Sequence, residues 1–512
     1  MRFSIELSRG SKQKNKTREA SPRALRSNQY AAAKIDRLTA GWLGVSGSAD
    51  MLTSSSLTRA RARSRQMAID NDYFRRFLKL CRTNVVGPNG IGLQVRAVES
   101  KTKDEIIFDE YANDLIEAGW GDWGKLKNCT VDKRLSWIDV KQLIIETVAK
   151  DGEALVREIR GRDADNEYGY AIQLIEMDHL DENYDHTLPN GNRIRMGIEF
   201  NKWNRPLAYH LLSSHPNDTM AASVGSGRKH YERVPADQII HLFTPERISQ
   251  SRGMPWAHSA MRRLKMLGGY EENELVAASV SASKMGFFKP GEDGATYEGS
   301  GQDEQGPVTE AEPGIFETLP PGMDFVAWDP QHPSTAFNLF VKAMLRGASS
   351  GLGVSYNTLA NDLEGVNFSS IRQGALEERE MWKMMQTWMI EHLCDRVFES
   401  WLIMALTTQK IPLPLAKFEK FNKPVWRPRG WQWIDPLKEV NSQRAAMDAG
   451  IRSGQDVANE QGQDIEDVYA QLAREKRLRE KYGITVSFAD NAAGLQADNT
   501  GDANNDGQTT NQ

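Results

Sequence analysis

Residues 351–380 read GLGVSYNTLANDLEGVNFSSIRQGALEERE. A glycine-rich, polar stretch, 351–369, separates two segments of helical pattern. It holds no His and no Cys, so it offers neither an imidazole base nor a thiolate. Ser370-x-x-Gln373 reads as a capping box for the second of these helices. From Ile371 to Leu406 there is no proline, and Gly374 is the one glycine. At ~1.5 Å per residue such a helix is roughly 54 Å long. Met381, Met385, Trp388, Leu393, Val397, Trp401 and Met404 give it an apolar stripe, read as core packing.

Upstream, PSTAFNLFVKAMLRGASS (333–350) is helical, with Pro333 near a first-turn position. Residues 256–285 form a second helix, interrupted at Gly268-Gly269. Between them, 291–317 hold eight Asp/Glu and no Lys/Arg: Glu292, Asp293, Glu298, Asp303, Glu304, Glu310, Glu312 and Glu317. Strand character returns at 315–330. Two helices flanking a small acidic module suggest a hairpin stalk with a compact tip.

Residues 1–50 form a basic arm, with eight Lys/Arg up to Arg26 against Glu6 and Glu19. This composition cannot pack a core. Residues 57–82 read as one long helix, with Arg59, Arg61, Arg63 and Arg65 at its start. Cations there oppose the helix dipole, so an outside acid or phosphate is expected to compensate them. Gly87, Gly90 and Gly92 follow no strand and include Pro88, which argues against a dinucleotide loop. Residues 105–119 and 137–150 read as helices. Segments 153–160, 170–177 and 236–245 read as strands. EMDHLDENYD (176–185) groups acids around His179 and reads as a strand-end turn rather than a metal site. The Pro/Trp-rich 411–434 is extended. Helices are expected from Asp435, with Pro436 at the first helical position, and over 463–481. The tail after 488 is rich in Asn, Asp, Gly and Gln, and disorder is expected there.

The 512 residues carry a net charge of −5 and 39% apolar residues, enough for more than one core. Cys81, Cys129 and Cys394 are scattered, with no CxxC or Cys/His cluster, so neither a metal nor a cofactor is expected. No secretory leader pattern and no apolar window of membrane-spanning length is present. Gly347-Ala-Ser349-Ser-Gly351 matches the nucleophile-elbow pattern, and Ser281-Ala-Ser-Lys284 matches SxxK. The first lacks the strand–turn–helix context and the second lacks its partner motifs. A serine hydrolase is therefore the weaker alternative. No phosphate-binding GxxxxGK[ST] loop and no HExxH occurs. Asp362 and Glu364, two apart in a loop, have no preset acid/base geometry.

The chain resembles the portal proteins of tailed bacteriophages, lambda type. The resemblance rests on RARSRQMAIDNDYFRRFLKLCRTNVVGPNGIGLQV (61–95), on 320–380, where GLGVSYNTLANDLEGVNFSS is the most specific run, and on DPLKEVNSQRAAMDAGIRS (435–453). It implies an α+β portal fold: arm 1–50, wing 51–255, stem helix 256–287, clip 288–330, stem helix 331–350, tunnel loop 351–369, long helix and wing return 370–434, crown 435–485 and tail 486–512. It implies a ring of about twelve subunits at one capsid vertex, with double-stranded DNA passing through the axial channel. Asn357, Asn361, Asp362, Glu364 and Asn367 would face the channel, with Lys342 and Arg346 lining the stem or pairing with acids of a neighbouring subunit. The acidic clip residues 292–312 would dock the terminase large subunit and the head–tail adaptor. Arg59–Arg65 would meet DNA or an adjacent subunit. Capsid protein and scaffold are further implied partners, the virion and, during assembly, the host cytoplasm the expected locations. Another ring-forming head–tail connector is the second alternative.

Overall fold

A computed structural model describes residues 44, 46–101, 106–216, 230–282, 286–290, 301–303, 306–308, 323–327, 336–364, 368–431, 436–460 and 465–483. Among these, no helix is long and apolar enough to cross a membrane. The chain divides into two compact units, 1–429 and 430–512.

In the first unit, Ser48 caps helix α1 (Ala49–Asp70) through the Met51 amide. The helix expected over 57–82 thus starts earlier, and it breaks at Asn71. That residue is extended (φ −114°, ψ 115°) and its side chain caps α2 (Asp72–Cys81) through Phe74. A π-turn, Arg82–Val86, follows. Asn competes for backbone hydrogen bonds, and no side-chain period records such a break. Strand β1 (Gly92–Val95) comes next, then the hairpin β2 (Val98–Lys101) and β3 (Ile106–Phe108), which takes the residues assigned to the start of a helix. Helices α3 (Glu110–Trp123), α4 (Leu126–Cys129) and α5 (Trp137–Asp151) follow. A Ser136/Asp139 capping box starts α5, and left-handed Gly152 ends it.

Strand β4 (Glu153–Arg160) is the centre of a three-stranded antiparallel sheet, between β5 (Tyr170–Ile175) and a later strand. A five-stranded meander follows: β6 (His186–Thr187), β7 (Arg193–Arg195), β8 (Ile198–Phe200), β9 (Pro206–Leu212) and β10 (Tyr231–Pro235). The chain then returns to pair β11 (Ile239–Phe243) with β4, Ile240 opposite Val156. Leu155, Met177, Ile198, Tyr209, Leu211 and Ile239 close one core between the sheets. At about 25 cal/mol per Å² such burial is the main stabilising term.

Helix α6 (Met261–Ala282) runs through Gly268-Gly269 without the expected interruption. At β12 (Gly286–Pro290) the chain enters the acidic excursion. It holds the short hairpin β13 (Gly301–Asp303) and β14 (Gly306–Val308), and β15 (Met323–Ala327) pairs back antiparallel on β12. Helix α7 (Phe337–Leu352) starts later than the Pro333 signal suggested, and a short helix α8 (Tyr356–Ala360) follows. Next, α9 (Phe368–Met389), a π-turn at Ile390–Cys394 and α10 (Asp395–Thr407) make one helical run. It begins before Ser370, so that residue lies within the helix and is not its cap. Trp382, Met389, Leu393, Val397, Phe398 and Trp401 are its buried face, while Met381, Met385, Trp388 and Met404 sit at its margin. The chain continues through α11 (Phe418–Phe421) to β16 (Pro424–Arg427), which pairs with β1. Trp120, Trp137, Phe398, Trp401 and Trp426 meet edge to face, Trp120 lying 5.1–5.8 Å from the other four. Such pairs add about 0.5–1.5 kcal/mol each beyond burial.

The second unit consists of α12 (Pro436–Asp448), α13 (Gly454–Glu460) and α14 (Ile465–Tyr482). Pro436 opens its helix as expected, and Ser453 and Asp456 cap α13 reciprocally.

Two buried charges test this architecture. Glu153 is fully buried against Arg61 (2.6 Å), Arg252 (2.7 Å) and His241 (2.9 Å). Burial pushes its pKa up, but Arg252, His241 and Arg61 outweigh that and hold it below the usual carboxylate range. Glu153→Gln strands two buried guanidinium groups, and the expected cost is about 3–5 kcal/mol. An unchanged urea midpoint with unchanged slope disproves this. Lys141, 1% exposed, donates to the Ile91 carbonyl (3.0 Å) beside the Trp137 ring. Burial lowers its pKa to about 8. Between that value and the ordinary ~10.4 the unfolded chain binds the extra proton, so stability rises with pH across this window, by about 3 kcal/mol at most. Lys141→Met is expected to flatten the rise in a denaturation series from pH 7 to 10.5.

Candidate functional site

The stretch 351–369 is not a bare loop. Left-handed Gly353 ends α7, and Ser355 caps α8 through the Thr358 amide (3.3 Å). Asn361, left-handed at φ +55°, ends α8. The segment 353–364 is a strap fixed at three places. Against α7, Lys342 pairs with Asp362 (3.1 Å) and Glu364 (3.5 Å), and the Arg346 guanidinium lies 5.5 Å from the centre of the Tyr356 ring. Tyr356 in turn donates to Asp362 (2.7 Å). Against α9, the buried Glu378 carboxylate accepts from the Ser355 amide (3.2 Å), the Thr358 hydroxyl (3.0 Å) and Trp382 Nε1 (3.1 Å). Against α2, Arg76 donates to the Thr358 carbonyl (3.4 Å).

The Tyr356 hydroxyl, the Glu364 amide and Lys342 hold Asp362 low, at about 2, and Asp362 in return raises Lys342. Both groups are therefore charged at any physiological pH. Within the chain, Lys342 thus meets two carboxylates and Arg346 an aromatic ring. Sequence reasoning placed Lys342 and Asp362 in one region without pairing them. The spacing of Lys342 and Arg346, one turn apart on one helix face, was the available signal. Asn357 is half-buried and Asn361 exposed, while Asn367 lies outside the described residues.

Helix α7 leans closely on α6. Ser259 donates to the Gly351 carbonyl (3.3 Å), and Tyr270 lies against Phe337 and Phe340 with ring centres 5.7 and 5.0 Å apart. A Cβ at Gly347 would collide with the Arg263 guanidinium, and one at Gly351 would fall 3.1 Å from Ser259 Oγ. Gly347-x-x-x-Gly351 is therefore a small-residue contact between helices. Ser349, between them, is buried in the last turn of α7 and donates to the Leu345 carbonyl (2.9 Å). The motif forms the last turn of α7, and the strand-to-helix turn that exposes a nucleophile does not form. Ser281 lies within α6; Lys284 is outside the described residues.

The arginine group differs from its expected setting. Arg59–Arg65 sit in the middle of α1, not at its start. Arg61 is buried against Glu153 and also faces Glu182 (3.6 Å). Arg65 binds Asp151 (2.8 Å) and Asp178 (2.6 Å). Their compensating acids thus include residues of the same chain. Arg59 and Arg63 are exposed.

Glu176, Asp178 and His215 bring three possible metal-ligand atoms within 4.8 Å of one another. Arg65 already supplies the positive charge there, 2.6 Å from Asp178 and 3.7 Å from Glu176. His179, at the centre of the acidic run, instead faces the Leu212 carbonyl (2.7 Å). Of the acidic-module residues, Asp303 lies on β13. Glu292, Asp293, Glu298, Glu304, Glu310 and Glu312 lie outside the described residues.

Comparison with known proteins bears on this geometry. Residues 36–386 match the family profile "Phage portal protein, lambda family". The "Probable portal protein" of Halomonas phage phiHAP-1 is 36% identical over 470 residues, 89% of this chain and 87% of that protein. "Portal protein B" of Escherichia phage lambda is 21% identical over 491 residues, 86% and 88% of the two chains. A chain in the structure titled "Neck of empty GTA particle computed with C6 symmetry" aligns at a TM-score of 0.43 and 14% identity, over 80% of this chain and 93% of that one. With the profile spanning most of the length and a relative above a third identical along nearly all of it, the chain belongs to the lambda family of phage portal proteins.

Proposed function

We propose that this chain closes into a ring of about twelve copies at one capsid vertex and forms the channel through which double-stranded DNA is packaged and ejected. In this reading 51–255 and the return 370–434 are the wing, and 256–287 with 331–350 the stem. Residues 288–330 are the clip, 351–369 the channel loop and 435–485 the crown. The arm 1–50 and tail 486–512 lie outside these parts. A head-to-tail contact that closes by rotation builds such a ring. The clip docks the terminase large subunit and then the adaptor, and its excess of acid makes docking salt-sensitive.

The observation that carries the reading is the charge arrangement of the strap. A DNA channel must touch phosphates without holding them, because each phosphate neutralised by a cation adds affinity and slows movement. Lys342 is covered by Asp362 and Glu364, and Arg346 lies against Tyr356. The strap itself carries carboxylates and amides but no cation, and the nearby α7 cations lie against it, Lys342 on its carboxylates and Arg346 on the Tyr356 ring.

Negative-stain electron microscopy of the purified protein is expected to show rings of about twelve subunits with an axial hole. Monomers or dimers at every concentration and salt overturn the ring. Replacing 357–364 with a Gly/Ser run is expected to leave rings intact and to impair packaging or retention of DNA. Normal packaging and retention would remove the channel assignment. Asp362→Asn with Glu364→Gln uncovers Lys342. Rings of that variant should bind DNA more tightly at low salt, with a steeper fall in affinity as salt rises. An unchanged salt slope argues against strap carboxylates screening the cation.

A further inference from the structure

Where α1 ends, the first unit opens a cleft of about 400 Å³. Ile69 from the end of α1, Arg75, Leu78 and Lys79 from α2, Arg82 from the π-turn and Glu146 from α5 line it. Arg75, Lys79 and Arg82 follow at intervals of four and three, so they share one side of the helical run. Arg76 falls on another side and reaches the strap. No strap residue lines the cleft, which is thus separate from the candidate site.

The charges of this cleft do not balance. Arg82 is already oriented, donating to Glu146 (3.1 Å) and Gln142 (3.0 Å). Arg75 and Lys79 are exposed, and among the described residues neither side chain has a hydrogen-bond or ion-pair partner. Arg61 and Arg65 of α1, by contrast, each meet carboxylates. Three cations against one carboxylate leave the cleft an excess of two positive charges.

A phosphate dianion is the counterpart of that excess. It carries about −1.5 to −2 at neutral pH and offers three acceptor oxygens. Arg meets such oxygens through a planar fork and Lys as a point charge. A carboxylate brings one charge and leaves the second cation uncovered. Leu78, buried, and Ile69, 75% exposed, add an apolar wall. The cleft falls in the ~300–1,000 Å³ range of small-molecule sites, so an organic group attached to the phosphate has room against that wall. We infer that this cleft is a phosphate site, in which Arg75, Lys79 and Arg82 bind a phosphate dianion, either free or as the end group of a small organic ester.

Equilibrium dialysis of the full-length protein with radiolabelled inorganic phosphate tests this. Saturable binding at one site per chain is expected. Phenyl phosphate competing at lower concentration than inorganic phosphate identifies the ester as the ligand. Equal competition identifies the free ion, and either result supports the site. Benzenesulfonate, with the same ring and a single charge, is expected to compete at least ~10-fold more weakly than phenyl phosphate. Arg75→Gln with Lys79→Gln is expected to weaken phosphate binding at least ~10-fold. Arg59→Gln with Arg63→Gln, exposed cations of α1 outside the cleft, should leave it unchanged. Glu146→Gln removes the one carboxylate of the cleft and is expected to tighten binding, a gain that misfolding cannot produce. The inference is overturned by no saturable binding, by equal loss in the two double variants, by equal competition from benzenesulfonate, or by no gain in Glu146→Gln. It is also overturned if duplex DNA binds through Arg75 and Lys79 and phenyl phosphate does not displace it, since the cleft is then a nucleic-acid face.

Discussion

A single buried carboxylate organises the first unit. Glu153 opens β4, the central strand of its sheet, and receives Arg61 from α1, His241 from β11 and Arg252 from the segment that leads into α6. It also accepts from the Gly253 amide (3.1 Å). Glycines 152 and 253 let the backbones cross beside it, since a Cβ at either would collide with the facing main chain. Isolating this charge from water is costly, and only its full set of partners offsets that cost. The starting direction of α6 is therefore set by the same group that anchors α1 to the sheet.

From that fixed start, close packing carries position outward. The paired glycines of α7 bring it against α6, and α7 presents Lys342 and Arg346 to the strap. The strap closes on α9 through Glu378. Each step uses a different interaction: a buried ion cluster, contact between small residues, exposed ion pairs, then a buried carboxylate with neutral donors. The step at Lys342 is the weakest, because solvent screens such ion pairs.

Much of this was legible in sequence, for physical reasons that differ by element. Strand 153–160 was readable because alternating and continuous apolar runs mark buried strands, and 436–448 because proline opens helices. The long helix was readable because nothing in 371–406 can break it. The break at Asn71 and the start of α9 at Phe368 were not, since caps compete within a turn or two and tertiary contacts choose among them. The pairing of Arg61 and Arg65 with acids about 90 residues away has no local trace. Charge at one helix end was a misleading cue once the helix proved to begin at Ala49 and not at residue 57. The candidate site was legible as a polar segment between helices, but its pinning was not, because Glu378 and Lys342 act through space.

The π-turn at Ile390–Cys394 gives the long helix a mechanical character. Buried positions 393, 397, 401 and 405 step by four, so on a regular helix they drift about 40° per step. The π-turn shifts the helical phase between α9, which meets the strap through Glu378, and α10, whose Trp401 meets Trp120. Between Glu378 and Trp401 the run is a lever about 35 Å long. A tilt of about 5° at one end moves the other by ~3 Å over that length. The one helical run thus joins the residue that holds the strap to the aromatic core of the same chain.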